Sequence, residues 1–204
     1  MIAIIDYGVG NLFSLSSSLK HIGADAVVTS DKTKIKAADK IILPGVGAFT
    51  DAAKALKESG LGELVVAEAR AEKPLLGICL GMQMLYEKSY EHGEHEGLGL
   101  LSGTVESLSA HLEDESLKVP HMGWNHLTWD KEKHPLLQNI EENRAFYYVH
   151  SFFAPISEDT VAYSNYGNVK VTGVCARDKI MGTQFHPEKS GEVGLNLLRT
   201  FVEM

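Results

Sequence analysis

Two cysteines occur in this 204-residue chain, and only one stands where it could do chemistry. Cys79 lies within Leu75-Leu76-Gly77-Ile78-Cys79-Leu80-Gly81-Met82-Gln83-Met84-Leu85. A short apolar run enters Gly-x-Cys-x-Gly and a helical pattern leaves it, which is the cysteine form of a nucleophile elbow. Glycines flank such a turn because larger side chains would collide with strand or helix, and the turn pushes the reacting atom out at the carboxyl end of the sheet. At a helix N-terminus the positive end of the macrodipole favours a thiolate over a thiol. The Leu80 N–H, without a helical acceptor, points to where an oxyanion would form. Cys175 has no such setting and reads as structural.

A thiolate nucleophile needs a base within hydrogen-bond reach and a third group to hold that base. Of nine histidines, His186 has the best setting: Gly182-Thr183-Gln184-Phe185-His186-Pro187-Glu188-Lys189-Ser190, at the end of an apolar strand and before the C-terminal helix. Residues two apart on an extended segment project to the same side, so Glu188 can meet the imidazole, and Pro187 fixes the backbone between them. The carboxylate would select the tautomer and stabilise the imidazolium. His121 and His150 could line the cleft, but neither has an acid two residues away. His92 and His95 lie in an acidic stretch, Glu91 to Glu96, without a clear third ligand or a rigid frame. A solvated loop is expected there, and neither a metal nor a cofactor.

Two glycine loops invite a nucleotide reading and fail it. In Asp6-Tyr7-Gly8-Val9-Gly10-Asn11 the third glycine of the dinucleotide fingerprint falls on Phe13, and in Pro44-Gly45-Val46-Gly47-Ala48-Phe49 it falls on Thr50. The second loop follows a central strand and precedes a helix. Its N–H groups, at Val46 and Gly47, could supply the other half of an oxyanion hole, or the loop could be only a tight turn.

The elements that must position these groups are legible as patterns. Ile2–Ile5, Ala26–Thr29, Lys40–Leu43 and Leu75–Ile78 are short apolar runs closed by Gly, Pro or Asp, as buried parallel strands are. Between them lie amphipathic stretches at Asn11–Ile22, Asp51–Glu58 and Leu61–Ala71. This alternation predicts an α/β fold with a doubly wound, mostly parallel sheet. Strand-like runs then follow at Gly103–Leu108, Asn125–Trp129, Ala145–Ser151, Val161–Asn165, Val169–Ala176 and Ile180–Phe185, with a final helix over Glu192–Phe201. They predict an antiparallel extension and a C-terminal helix. His92–Gly99 and Ala110–Val119 are polar and read as loops. Residues 1–204 read as one domain, without repeats or a linker.

Nineteen basic and 27 acidic residues give a net charge of −8, which argues against nucleic acid and anionic membrane surfaces. Met1 to Asp6 lacks the basic region and cleavage site of a signal peptide, and no apolar stretch approaches a membrane span. Two cysteines suit a reducing cytosol.

Pro44-Gly45-Val46-Gly47, Gly77-Ile78-Cys79-Leu80-Gly81-Met82-Gln83 and His186-Pro187-Glu188 together resemble the class I, triad-type glutamine amidotransferases. Within them the chain is similar to the glutaminase subunits of imidazole glycerol phosphate synthases. That narrower likeness rests on Asp6 to Leu12, Lys118-Val119-Pro120-His121-Met122-Gly123-Trp124-Asn125, Tyr147-Tyr148-Val149-His150-Ser151-Phe152 and Gln184 to Ser190. It spans essentially the whole chain, and Ala110–Leu117 carries none of the motifs.

The resemblance implies a Cys79, His186 and Glu188 triad that hydrolyses glutamine through a thioester. Leu80, Val46 and Gly47 would line its oxyanion hole. It implies glutamine held by Gly47, Gln83, Glu91, Ser151 and Phe152, with Glu91 meeting the α-ammonium, Gln83 facing the cleft, and Ser151 and Phe152 using backbone groups. It also implies a cytoplasmic 1:1 heterodimer with a (β/α)8-barrel cyclase subunit, met by Asn11, Trp124, Tyr147 and Lys189, the Met-Gly-Trp-Asn segment reading as a turn. The rivals are a glutaminase of another synthase, a cysteine-elbow hydrolase or redox sensor, and a binding module without activity.

Overall fold

The computed structural model describes residues 1–130 and 132–204. The first half alternates as the patterns require: β1 (Ile2–Ile5), α1 (Leu12–His21), β2 (Ala26–Thr29), α2 (Lys32–Ala37), β3 (Lys40–Gly45), α3 (Phe49–Ser59), α4 (Leu61–Arg70), β4 (Leu75–Cys79) and the one-turn α5 (Leu80–Gln83). Next come β5 (Lys88–Ser89), β6 (His95–Glu96), β7 (Thr104–Ser107), β8 (His121–His126), β9 (Thr128–Trp129), β10 (Ala145–His150) and β11 (Phe152–Phe153). The chain finishes with β12 (Thr160–Tyr166), β13 (Val169–Arg177), β14 (Ile180–Thr183) and α6 (Gly191–Glu203). Among the described residues no helix is long and apolar enough to cross a membrane.

The main sheet has the order β2-β1-β3-β4-β14-β13-β12-β9. Its first five strands are parallel, and β13, β12 and β9 continue it in antiparallel fashion. Strand alternation splits the core between the two faces. Ala3, Ile5, Ile41, Leu43 and Leu75 pack with Ile35 of α2, Leu56 of α3 and Leu64 of α4. Ile2, Ile4, Ile42, Leu76 and Ile78 pack with Leu15 and Leu19 of α1 and Leu197, Leu198 and Phe201 of α6. Covered on both faces, these strands can be apolar at every position, which is why they read as continuous runs.

The antiparallel part is less simple than the sequence suggests. Only β12, β13 and β9 extend the main sheet; β8 and β10 form a separate ribbon, and β11-β7-β5-β6 form a third small sheet. The strand expected from Asn125 begins at His121, so Met122 to Asn125 is strand and not turn. Gly123, at φ +135, lies inside it. His95 and Glu96, expected in a loop, pair with Ser89 and Lys88. The short α2 was absent from the expected elements. It has one buried residue, Ile35, and starts from an Asp31 cap that accepts the Thr33 N–H.

The elbow is packed backbone to backbone. In register, Gly45 of β3 stands opposite Cys79 of β4. A Cβ on Gly81 would overlap the Leu43 carbonyl, one on Gly77 would come 2.7 Å from the Gly81 carbonyl oxygen, and one on Gly45 would come 2.7 Å from the Gly81 nitrogen. The three glycines let β3, β4 and α5 touch backbone to backbone. Gly81→Ala should therefore destabilise the fold by about 1–3 kcal/mol or more, as overpacking does. Chemical denaturation of the variant beside the parent chain measures this, and an unchanged midpoint would show that the elbow has slack.

Candidate active site

Cys79 occupies φ +54, ψ −110, a backbone state a side chain adopts only when its surroundings over-determine it. The clamp of Gly45, Gly77 and Gly81 is that surrounding. The helix after it is a single turn, so a long macrodipole does not form there, and the groups around the sulphur carry the electrostatics instead.

β14 runs beside β4, with Thr183 opposite Ile78. The chain beyond Thr183 therefore arrives at the sulphur. Gln184 Nε2 donates to Cys79 Sγ at 3.7 Å, and His186 follows two residues later on the same side. His186 and Glu188 are both buried, with Nδ1 and Oε1 2.8 Å apart. His186 Nε2 is buried without a hydrogen-bond partner among the described residues, so it has a lone pair or a proton to offer the cleft. Burial alone would lower the pKa of this imidazole. Neighbouring Cys79 and Glu188 outweigh that and raise it to about 9.

The histidine segment is also fastened to the β8–β10 ribbon. The His186 N–H donates to the Tyr147 carbonyl at 2.9 Å. Ser190 Oγ donates to the His186 carbonyl at 2.6 Å and accepts the Tyr147 N–H at 3.0 Å.

A cleft of about 490 Å³ opens over the sulphur, lined by Val46, Gly47, Cys79, Leu80, Gln83, Glu91, Ser151, Phe152 and His186. It thus gathers the candidate nucleophile, base, oxyanion donors and substrate-holding residues, while Glu188 lies behind the histidine in an adjoining recess. Gly47, at φ +96, turns the loop from β3 into α3, and the buried Tyr7 hydroxyl donates to the Pro44 carbonyl at 2.7 Å to pin it.

Three expected substrate contacts have other duties as well. Gln83 Nε2 is committed to the Phe152 carbonyl at 2.9 Å and to Gln184 Oε1 at 3.0 Å, which leaves its own oxygen for the cleft. Glu91 Oε2 accepts the Phe49 N–H at 2.8 Å and so caps α3, which explains why that helix starts two residues earlier than its amphipathic pattern. The Phe152 carbonyl is likewise occupied, by Gln83 and by His150 Nδ1.

Of the expected interface residues, Asn11 and Lys189 line the rim of the same cleft. Asn11 Oδ1 also caps α1 by accepting the Ser14 N–H. Trp124 and Tyr147 do not line the cleft. They face each other across the ribbon, ring centroids 6.1 Å apart, and Trp124 is 59% exposed. Trp124 is therefore a surface residue of the ribbon and not part of the core.

Gln184, His150, Val149 and Pro120 line or touch the site without having been assigned a part. Gln184 had a usable signal, since it lies two residues before His186 on an extended segment. The link between His121 and His150 spans 29 residues and had none.

Comparisons with known proteins agree with this geometry. The family model described as glutamine amidotransferase class-I matches residues 3–204. An imidazole glycerol phosphate synthase subunit HisH from Sulfurimonas denitrificans is 47% identical over 205 residues, covering 100% of this chain and 98% of the relative. The protein of that name from Wolinella succinogenes is 47% identical over 206 residues and covers 100% of both chains. The one from Bacillus cereus is 48% identical over 202 residues, covering 98% and 93%. Among solved structures, a glutamine amidotransferase superposes with a TM-score of 0.74 at 20% identity, covering 100% of this chain and 98% of the other. PurLQS from Thermotoga maritima gives 0.73 at 21%, covering 99% and 97%; likeness at this identity speaks for the fold alone. With the elbow, the paired histidine and acid, and a family model spanning nearly every residue, this chain belongs to the class I glutamine amidotransferases.

Proposed function

We propose that the chain is the glutaminase subunit of an imidazole glycerol phosphate synthase, with residues 1–204 acting as one amidotransferase domain. The observation that carries the reading is the juncture of Cys79 and His186 in one cleft, with Glu188 behind the imidazole at 2.8 Å. Full-length identity to HisH proteins supports the narrower assignment.

In this reading His186 Nε2 takes the thiol proton and the Cys79 sulphur attacks the side-chain amide carbon of glutamine. Negative charge gathers on the amide oxygen, facing the N–H groups of Leu80 and the Val46–Gly47 loop. The intermediate collapses as the imidazolium gives its proton to the departing ammonia, leaving a glutamyl thioester. Water, deprotonated by His186, then releases glutamate. Glu188 holds the Nδ1 proton throughout. Glu91 presents its carboxylate to the α-ammonium, and Gly47, Gln83, Ser151 and Phe152 shape the rest of the pocket.

Ammonia is useful only if delivered. The rim residues Asn11 and Lys189, with Trp124 and Tyr147 on the ribbon, form the docking face for a cyclase subunit with a (β/α)8 barrel in a 1:1 heterodimer. That subunit would combine ammonia with a phosphoribulosyl-formimino aminoimidazole nucleotide. The products are imidazole glycerol phosphate and an aminoimidazole carboxamide ribonucleotide, in histidine biosynthesis. The cytoplasm suits a free catalytic thiol.

Glutamate release from glutamine, measured for the chain alone and then with the cyclase subunit and its nucleotide, tests the assignment. Strong stimulation is expected; turnover indifferent to the cyclase would point to another synthase. Cys79→Ala should lower this rate by roughly 10⁴-fold or more, and full activity in that variant would remove the nucleophile assignment. Trp124→Ala should weaken binding of the cyclase subunit by roughly 30-fold, as loss of a buried aromatic anchor does, and titration calorimetry reads it directly.

The pH dependence follows from His186. A base whose pKa is raised to about 9 keeps its proton up to that pH, so donation to ammonia is available below it and lost above it. kcat/KM for glutamine should therefore fall as pH rises through about 9. Glu188→Gln removes a charge that holds the imidazolium, so this limb should move to lower pH, while kcat falls by about 10²–10⁴-fold. A limb that does not move would mean that Glu188 does not act through His186.

A further inference from the structure

Gln184 is wholly buried, has no part in the mechanism above, and ends on the reacting atom. Its neighbours decide which end of its amide meets the sulphur. The Phe152 carbonyl can only accept, so the Gln83 atom 2.9 Å from it is the donor Nε2. The same nitrogen lies 3.0 Å from the Gln184 side chain and must meet an oxygen there. The Gln184 nitrogen is thereby turned toward Cys79 Sγ, 3.7 Å away.

The carbonyl that sets this polarity is itself fixed from the other side. His150 Nδ1 lies 2.9 Å from the Phe152 oxygen and must carry its proton. His150 Nε2 then accepts from His121 Nδ1 at 3.0 Å, and His121 Nε2 accepts from Asn125 Nδ2 at 3.3 Å. The second hydrogen of that amide goes to the Asn165 carbonyl at 2.8 Å, while Asn125 Oδ1 accepts the His126 N–H. Every link has one direction. It requires two neutral imidazoles, and burial supplies them, lowering the pKa of His121 to about 4 and of His150 to about 3.

We propose that Gln184 is a further catalytic residue, whose amide N–H holds the Cys79 sulphur once the thiol proton has passed to His186. His150 is a positioning residue that keeps this amide correctly turned by fixing the Phe152 carbonyl. In the step itself the S–H bond breaks, an N–H bond forms at His186 Nε2, and the electron pair left on sulphur accepts from Gln184. The other partner of the sulphur, the Val149 carbonyl 3.9 Å away, serves a thiol only, because a thiolate has no hydrogen to give it. The contact holds whatever the substrate; its importance for turnover rests on the glutaminase reading.

Gln184→Met keeps length and burial and removes the donor. With the cyclase subunit bound, kcat for glutamine hydrolysis should fall on the order of 10- to 100-fold, the effect of losing a hydrogen bond to a charged group, while KM stays within about threefold. Alkylation of Cys79 by iodoacetamide in the chain alone should slow by about tenfold at neutral pH, since the thiolate is what reacts. His150→Asn, which retains a donor near the Nδ1 position, should stay within about threefold of the parent, and His150→Phe should fall toward Gln184→Met. Nitrogen-15 NMR of the parent chain should place the His150 proton on Nδ1, a result that needs no variant to fold.

Parent-like turnover and alkylation in Gln184→Met would overturn the proposal. So would a His150 proton on Nε2, or loss of turnover without slower alkylation. A parent chain that hydrolyses no glutamine would overturn the glutaminase reading and with it the catalytic role of Gln184, while slower alkylation in the variant would still establish the contact.

Discussion

Everything in this site depends on one steric fact: three glycine backbones let β3, β4 and α5 approach more closely than any side chain permits. Gly81 lies against the Leu43 carbonyl, and Gly45 stands opposite Cys79. The approach drives Cys79 into a left-handed backbone state and lifts its sulphur above the sheet. It also leaves the Gly45 to Gly47 loop alongside the sulphur. Because β14 is the next strand over, Gln184 and His186 arrive at the same edge without further provision. The parallel sheet brings the groups together; the elbow decides where they meet.

Around that point the fold holds histidines in opposite states by choosing their neighbours. His186 is buried, yet a carboxylate and the cysteine favour its protonated form. His150 and His121, equally shut off from water, see a carbonyl, each other and an amide, so burial prevails and both remain neutral. One set can exchange a proton, and the other can only hold a direction. The ribbon that carries the neutral pair also presents Trp124 and, through the Tyr147 backbone, clamps the His186 segment. The exposed Trp124 and the segment that carries His186 are thus parts of one small structure.

The parallel half was legible because strands buried on both faces leave uninterrupted apolar runs, and because Gly77 and Gly81 announce the turn at Cys79. The pairing of His186 with Glu188 was expected from the period of an extended chain. The pair does form, but through a single 3-10 turn over Pro187–Lys189 that folds the carboxylate back to the imidazole. What stayed hidden was short or remote. β5, β6 and β11 have two residues each, too few for any period. α2 buries only Ile35. Gly123 in the Met-Gly-Trp-Asn segment made a strand look like a turn. Contacts across 29 to 105 residues, such as His121 with His150 or Gln184 with Cys79, leave no local mark. The cap that Glu91 places on α3 and the double duty of Gln83 belong to the same class, since a side chain's second task depends on who arrives beside it in space.

The central claim is that Cys79 carries the glutamyl group during turnover, and the most direct test is to catch it there. The chain, mixed with its cyclase partner and glutamine and quenched in acid within a turnover, should yield a glutamyl thioester on the peptide containing Cys79 when mapped by mass spectrometry. The adduct should disappear on treatment with hydroxylamine. Turnover without any adduct on Cys79, or with the adduct on another residue, would contradict the account.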